Sequence, residues 1–406
     1  MGEKKSTYWI VVIAALGYFV DLYDLILYNV VKEASLTAIG ITGPAYKNYE
    51  ITLFNWQMFG MLLGGLLWGI LGDKKGRISV LFGSILLYSL ANIANGFVVN
   101  INQYVICRFI AGIGLAGELG AGITLVSETM HKDKRGIGTM IIVSFGALGA
   151  VTAAMVGKYF QWQNAYFIGG GLGLALLALR AGAFESGMYK NLSEKTQVVK
   201  GNFLMLFKTK ERFFLYLNSI IIGIPIWFMI GVLINLSPKF ITVPGINSKM
   251  MVGEAVMFGY IGLSAGDVIS GLLSQWLKSR KKVIGLYLLI SMALVIYYIY
   301  TPVMSLSQFR ISCLLLGLGT GYWALFVQVA SENFGTNIRS TVTNTVPNFV
   351  RGSVVPITLS FKSLSETYGN HQAALAVGGF CIAIAIIALA YMKETFSKDL
   401  DYHEID

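Results

Sequence analysis

Apolar residues run along this chain in blocks too long for a soluble core, and the blocks are separated by short polar connections. A bilayer core of roughly 30 Å takes about 20 apolar residues of α-helix. On that measure the sequence predicts twelve membrane-spanning helices, over 8–31, 50–72, 79–99, 103–128, 136–159, 164–184, 213–236, 251–277, 283–302, 307–330, 341–362 and 372–392. The expected fold class is therefore all-α and integral to a membrane. An even number of spans puts both termini on one side.

Lysine and arginine choose that side. Of the 31 basic residues, 21 fall on the side of the termini, 6 fall opposite, and four (Arg108, Arg180, Arg310 and Arg351) lie inside spans. Such a bias places both termini in the cytoplasm. The longest polar connection, 185–212, is basic and joins the sixth and seventh spans. It reads as a cytoplasmic linker between an N-terminal six-helix bundle, 1–184, and a C-terminal one, 213–406, which ends in a short cytoplasmic tail. The halves repeat: Glu128 and Arg135 recur as Glu332 and Arg339, Arg108 recurs as Arg310, and Gly69–Arg77 has a weaker partner in Gly271–Arg280. Internal repeats of this kind are a signature of transporter folds.

Composition agrees with a lipid environment. Hydrophobic residues make up 55% of the 406 and charged residues only 13%, against roughly 25% charged in soluble proteins. The net charge of +10 does not point to nucleic acid, because the basic residues sit between apolar runs and form no single face. Cys107, Cys313 and Cys381 lie in apolar stretches without CxxC spacing, and His131, His371 and His403 lie in connections or the tail. No metal site or cofactor is expected, and no nucleophile–base set points to an enzyme. Met1–Thr7 is short and basic, and the apolar run after it holds two aspartates, so it does not read as a cleavable signal.

Two segments carry a family likeness. The loop after the second span reads Gly69-Ile-Leu-Gly-Asp73-Lys74-Lys-Gly76-Arg77, and the fourth span reads Arg108-Phe-Ile-Ala-Gly112-Ile-Gly114-Leu-Ala-Gly117-Glu118, continuing through Ser127-Glu128 to Arg135. Both resemble motifs of the major facilitator superfamily. The first span, with Asp21, Tyr23, Asp24 and Tyr28, resembles the acidic helix-one motif of its metabolite:proton symporters, and the Gly-Glu step is similar to the sugar-porter-like branches. The resemblance covers essentially the whole chain. It implies a helix-one aspartate paired with the helix-four arginine, which makes Asp24 the first candidate proton carrier and Arg108 its partner. Two departures stand out: Gln275 replaces the motif aspartate in the second half, and Glu185-Ser186 lacks the proline of the sugar-porter ending.

Charge at depth is costly and so marks functional candidates. Six such residues stand out: Asp21, Asp24, Arg108, Glu118, Asp267 and Arg351. At about 1.5 Å rise per residue, Asp24 lies roughly 24 Å along its helix from Tyr8, and Arg108 roughly 30 Å from Glu128, so the two reach similar depth. Asp21, one turn from Asp24, and Glu118, near the midplane, are further candidates for proton coupling. The alternatives are a permanent Asp24–Arg108 pair that pins two helices and a satisfied interhelical contact for Glu118. Arg351 offers a planar fork suited to an anion, or else a salt bridge to Asp267 or Glu118. The six sum to minus two, which protons or a cationic substrate would balance. Polar and aromatic candidates for a substrate pocket are Glu118, Asp267, Gln57, Trp227, Tyr260, Trp323, Gln328, Asn344 and Asn348, beside Arg351. Asp73, Lys74, Arg77, Glu128, Arg135, Glu332 and Arg339 read as a cytoplasmic gate.

The leading expectation is a monomeric secondary transporter of a bacterial or archaeal inner membrane. It would move a small organic acid with protons by alternating access. The alternative is an exporter or antiporter of a cationic or amphipathic compound.

Overall fold

The computed structural model describes residues 2–182, 186–194 and 198–405. Glu185 and Lys195 of the expected linker lie outside the described residues. Every regular element among the described residues is helical. The spans are α1 (Tyr8–Ala38), α2 (Asn48–Lys75), α3 (Arg77–Asn95), α4 (Ile101–Thr129), α5 (Arg135–Tyr159), α6 (Trp162–Leu179), α7 (Lys210–Ile234), α8 (Met250–Trp276), α9 (Arg280–Ile299) and α10 (Leu306–Asn333). The eleventh comes in two pieces, α11a (Arg339–Gly352) and α11b (Val354–Tyr368), and α12 is Asn370–Tyr391. The expected number of spans is met. Ten of them are long and apolar enough to qualify on their own. The sixth opens on Trp162-Gln163-Asn164, and α11a carries polar residues along much of its length.

Local chemistry sets the ends. Gly76 joins α2 to α3 as a one-residue connection at φ 98°, a left-handed conformation that a side chain strains. Asn100 caps α4 by accepting from Gln103 N at 3.0 Å, and Ser305 with Gln308 forms a capping box on α10. Breaks inside spans matter more for function. α4 is interrupted between Leu115 and Glu118, α10 between Gly319 and Trp323, and α7 is wound as a π-helix over Met229–Ile234. α1 runs seven residues past its expected end, because no breaker precedes Gly40, whose φ is 84°.

The residues group into two compact units. The first contains Met1–Lys208 together with Phe334–Asn348 and Asp399–Asp406, and the second contains Thr209–Asn333 with Phe349–Lys398. Each is knit by glycines at helix crossings. In the first, a Cβ at Gly60 or Gly112 would run into the backbone of α4 or α2; in the second, a Cβ at Gly262 or Gly317 would do the same between α8 and α10. Close backbone approach replaces the hydrophobic effect as the packing force where the solvent is lipid.

After α12 the chain turns back, and Glu394 hooks the start of α9. Its carboxylate accepts from Ser279 Oγ, from Arg280 N at 2.9 Å and from Lys281 N at 3.3 Å. Burial opposes its charge, but hydrogen bonds from Ser279 and from the backbone of Arg280, Phe396 and Thr395 outweigh that and hold the carboxyl below its ordinary value. A depressed folded pKa gives stability that is present above the unfolded value and is lost as pH falls through the folded one. Glu394→Gln should therefore lower the melting temperature at pH 7, and the gap from wild type should close as pH falls below about 4. A gap that stays constant down to pH 3 would remove the electrostatic account of the hook.

Candidate functional site

In the first unit, α1, α2 and α4 bring three side chains together. Arg108 Nη1 donates to Asp24 Oδ1 at 3.1 Å and Oδ2 at 3.2 Å. Gln57 Nε2 donates to Asp24 Oδ2 at 3.1 Å, and Arg108 Nη2 donates to Gln57 Oε1. All three are fully buried. The guanidinium lies 5.0 Å from the Tyr28 ring centroid and 5.9 Å from that of Tyr166. Tyr166 is held by Tyr104, their hydroxyls 2.7 Å apart. The depth count along α1 and α4 thus does place Asp24 beside Arg108. Gln57, expected in a substrate pocket, completes this cluster. Asp21 is fully buried one turn away on α1.

Glu118 starts the second half of α4, and its partner is Arg180, just past α6. Arg180 Nη2 donates to Oε2 at 2.6 Å and Nη1 to Oε1 at 3.2 Å, while Ser84 Oγ donates to Oε1 at 2.5 Å. Arg180 Nη1 also donates to Leu81 O at 2.5 Å. A Cβ at Gly17 would strike this pair, so the backbone of α1 packs directly on it. Of the two readings of Glu118, the contact between helices is the one seen here: its carboxylate accepts from Arg180 and Ser84. Counting Arg180 among the deep charges also lowers the net deficit from two to one.

The third cluster lies at the α2–α3 turn. Arg77 reaches Glu128 through Nε at 3.1 Å and Nη2 at 2.8 Å, and it donates to Gly72 O and Thr336 O at 2.8 Å each. Glu128 also accepts from Ser186 Oγ at 2.5 Å and from Arg339 Nη1 at 2.9 Å. Asp73 caps α11a: Oδ1 accepts from Ser340 N at 2.9 Å, and Oδ2 from Thr341 N at 2.8 Å and Thr341 Oγ1 at 2.7 Å. A carboxylate there meets unsatisfied N–H groups and the positive end of the helix dipole. Asp73, Arg77, Glu128 and Arg339 therefore form one network. Lys74 is exposed and contributes only its carbonyl, which accepts from Tyr189 OH at 2.9 Å. Arg135 is buried with Nε on Met130 O at 3.3 Å.

Asn344 and Asn348, expected in a substrate pocket, also belong to this unit. Asn348 Nδ2 donates to Ala116 O at 3.2 Å, at the break in α4, and Asn344 Nδ2 to Ser340 O at 2.8 Å. A Cβ at Gly65 or Gly120 would collide with them. They fill a tight helix crossing.

The second unit has its own arginine–glutamate pair. Arg280 donates to Glu332 through Nη2 at 3.1 Å and Nε at 3.3 Å, and Gln328 Nε2 donates to Glu332 Oε1 at 2.8 Å. Glu332 thus pairs with Arg280 rather than Arg339, and Gln328 supports that pair. The remaining pocket candidates cluster around Trp323. Arg351 lies 5.5 Å from its ring centroid, Trp227 meets it edge-on at 6.3 Å, and Phe326 lies at 4.9 Å. The indole N–H groups of both tryptophans are buried and have no acceptor among the described residues. A buried donor without an acceptor costs about 1–3 kcal/mol. Asp267 Oδ1 accepts from Ala324 N at 2.9 Å, and Oδ2 has no hydrogen-bond partner among the described residues. Asp267 forms no ion pair among the described residues, and Glu118 pairs with Arg180. Tyr260 is half-buried on α8, its carbonyl accepting from Ser264 Oγ at 2.9 Å.

Sequence reasoning missed Arg180 and Arg280. The repeat of Gly69–Arg77 in Gly271–Arg280 did point at Arg280, because it stands where Arg77 stands. Arg180 gave only the signal of an arginine inside a span.

Comparisons with known proteins agree with this architecture. A model described as Major Facilitator Superfamily matches residues 10–352. The chain is 26% identical over 400 residues to the "Putative niacin/nicotinamide transporter NiaP" of Bacillus subtilis (strain 168), with 96% of each covered. It is 24% identical over 397 residues to the "Sialic acid transporter NanX" of Escherichia coli (strain K12), over 94% of this chain and 92% of the relative. Among solved structures, the proton:xylose symporter XylE superposes with a TM-score of 0.74 at 15% identity over 98% of each chain, a likeness of fold. Twelve helices, paired arginine–glutamate clusters at repeated positions and the family match together identify the chain as a member of the Major Facilitator Superfamily, a multi-pass membrane transporter and not an enzyme.

Proposed function

We propose that this transporter is a proton-coupled symporter of a small organic acid. The observation that carries the reading is the fully buried Asp24 carboxylate, held by Arg108 and Gln57. Its charge is stable at depth only while Arg108 compensates it. Protonation cancels the attraction and frees the two helices to move apart. Tyr28 and Tyr166 face the guanidinium and offer it cation–π stabilisation, worth more in a dry site. Arg108 thus keeps a partner when Asp24 is neutral.

Arg351, Trp323 and Trp227 are the substrate residues in this reading. A guanidinium fork and two indole donors suit a carboxylate, and the faces of the indoles suit a planar or apolar body. Niacin and sialic acid, named for two relatives, are both carboxylic acids. The six-helix halves are 1–184 and 213–406, joined by a cytoplasmic linker at 185–212. Both termini are cytoplasmic, the location is a cell inner membrane, and the protein works as a monomer by alternating access.

Uptake into proteoliposomes tests the reading, with niacin, sialic acid and xylose as probes and the outside acidified. At least one carboxylate should accumulate and xylose should not. Xylose uptake, or gradient-driven expulsion of a cationic dye, would instead favour a sugar porter or an exporter. For the carboxylate that is carried, Arg351→Lys should raise KM by about 10–100-fold, the weight of a charge-assisted hydrogen-bond set. An unchanged KM would remove Arg351 from the site.

A further inference from the structure

Residues 399–406 lie in the segment that reads as a short cytoplasmic tail. In the structure it is woven into the gate. Arg339 spends Nη1 on Glu128 and, at 3.3 Å, on Thr336 Oγ1, while its Nη2 donates to Leu400 O at 2.7 Å. One face of the gate arginine is therefore held by the backbone of the tail. Thr336 is the second tie: its N–H donates to Tyr402 O at 2.8 Å and its hydroxyl to Leu400 O at 3.2 Å. Its own carbonyl meanwhile takes Arg77 Nη2. Asn337 is the third. Its side chain accepts from Glu404 N at 2.8 Å and donates to Glu404 O at 3.1 Å, reading both backbone groups of one tail residue. Glu404 Oε1 in turn accepts from Gly335 N at 3.1 Å.

Packing supports the hydrogen bonds. Leu400 is fully buried, as are Phe334 and Ile338 on the segment it covers. A Cβ at Gly335 would press on the backbone of His403 and Glu404, so the tail lies flat on this loop. All these contacts fall within the first unit, and all converge on the residues just before α11a.

We propose that residues 399–405 are a positioning element of the gate, holding Arg339 on Glu128 and α11a on Asp73, and so setting how often that helix start is released. Arg339 contacts Glu128 directly; the tail acts through Arg339 and Thr336. Cutting the tail removes Leu400 and Tyr402 as acceptors and Glu404 as the partner of Asn337. Arg339 then keeps Glu128 but loses the bond that fixes its other nitrogen. This inference does not rest on the identity of the substrate or of the coupling ion.

Thiol labelling without substrate tests it. Thr345 is buried on α11a, so Thr345→Cys reports release of that segment to a membrane-impermeant maleimide. The reporter is placed in the full chain, in a chain ended at Lys398, and in full-length Asn337→Ala. The shortened chain should label at least tenfold faster, Asn337→Ala severalfold faster, and a synthetic 399–406 peptide should slow the shortened chain again. Melting temperatures are measured in parallel. A lower melting temperature with an unchanged labelling rate, in either variant, would make the tail a plain staple and overturn the proposal. If the shortened chain does not fold, Asn337→Ala alone decides: labelling at the wild-type rate overturns the proposal.

Discussion

Asp24→Asn is expected to abolish accumulation driven by a pH gradient, by a factor of about 100 or more, while substrate exchange across the same liposomes stays within a few-fold of wild type. Asparagine matches the shape of aspartate and keeps an acceptor for Gln57, but it neither gains nor loses a proton. It mimics the protonated carboxyl that the transport cycle passes through. The cost is an unpaired Arg108 in a dry setting, where breaking a buried pair typically costs about 3–5 kcal/mol. Tyr28 and Tyr166 offset part of that loss through their ring faces. The variant should therefore fold and still exchange. If Asp24 and Arg108 merely pinned α1 to α4, the same substitution would lower stability and leave gradient-driven uptake dependent on pH. The two flux assays together separate these outcomes.

The second large effect is expected at Glu128. This one carboxylate accepts from Arg77 twice, from Arg339 and from Ser186. Glu128→Gln leaves two buried arginines facing a neutral amide. At about 3–5 kcal/mol for the broken arrangement, the closed gate should be populated about 100- to 4000-fold less. The Thr345→Cys reporter in a Glu128→Gln background should label faster by a comparable factor. Lys74→Ala is the control: Lys74 is part of the same loop motif but exposed, and its removal should leave labelling unchanged. Labelling of Glu128→Gln within threefold of wild type would mean that Asp73 on the start of α11a holds the gate by itself.

How far the sequence reached depended on what kind of information each feature needs. The spans were legible because hydropathy over about 20 residues is a one-dimensional signal. The Asp24–Arg108 pairing was legible because depth along a helix follows from the rise per residue, and the family motif supplied the partner. Direction around a helix was not legible. Asn344 and Asn348 lie on a polar helix that faces its neighbours, and only the glycines at 65 and 120 opposite them explain why they fit. The partners of Glu118 and Gln328 were not legible for the same reason. Those partners, Arg180 and Glu332, are set by how helices cross. The tail escaped altogether, since its attachment uses backbone carbonyls and N–H groups that every sequence possesses.

The grouping of Phe334–Asn348 with the first unit has a physical cause that the repeat alone did not suggest. The halves are alike at Arg77–Glu128 and Arg280–Glu332, yet only the first half has the aspartate that caps a helix start. In the second half Gln275 takes the corresponding place, as the sequence indicated. Asp73 can accept from the free N–H groups of α11a, and a glutamine offers less charge to do so. Asp73 is thus one of the ties that hold the start of α11a in the first unit, beside Arg339 on Glu128 and Asn348 on Ala116 O.

The central claim is that one proton moves with each organic anion through the Asp24–Arg108 site. The most direct measurement adds the carried carboxylate to proteoliposomes with no imposed gradient and follows external pH with a dye, beside protein-free liposomes as the control for passive entry of the acid. The account predicts alkalinisation outside that starts with substrate, depends on wild-type protein and disappears in Asp24→Asn. Protein-dependent uptake with no proton movement, or proton movement that survives Asp24→Asn, would contradict it.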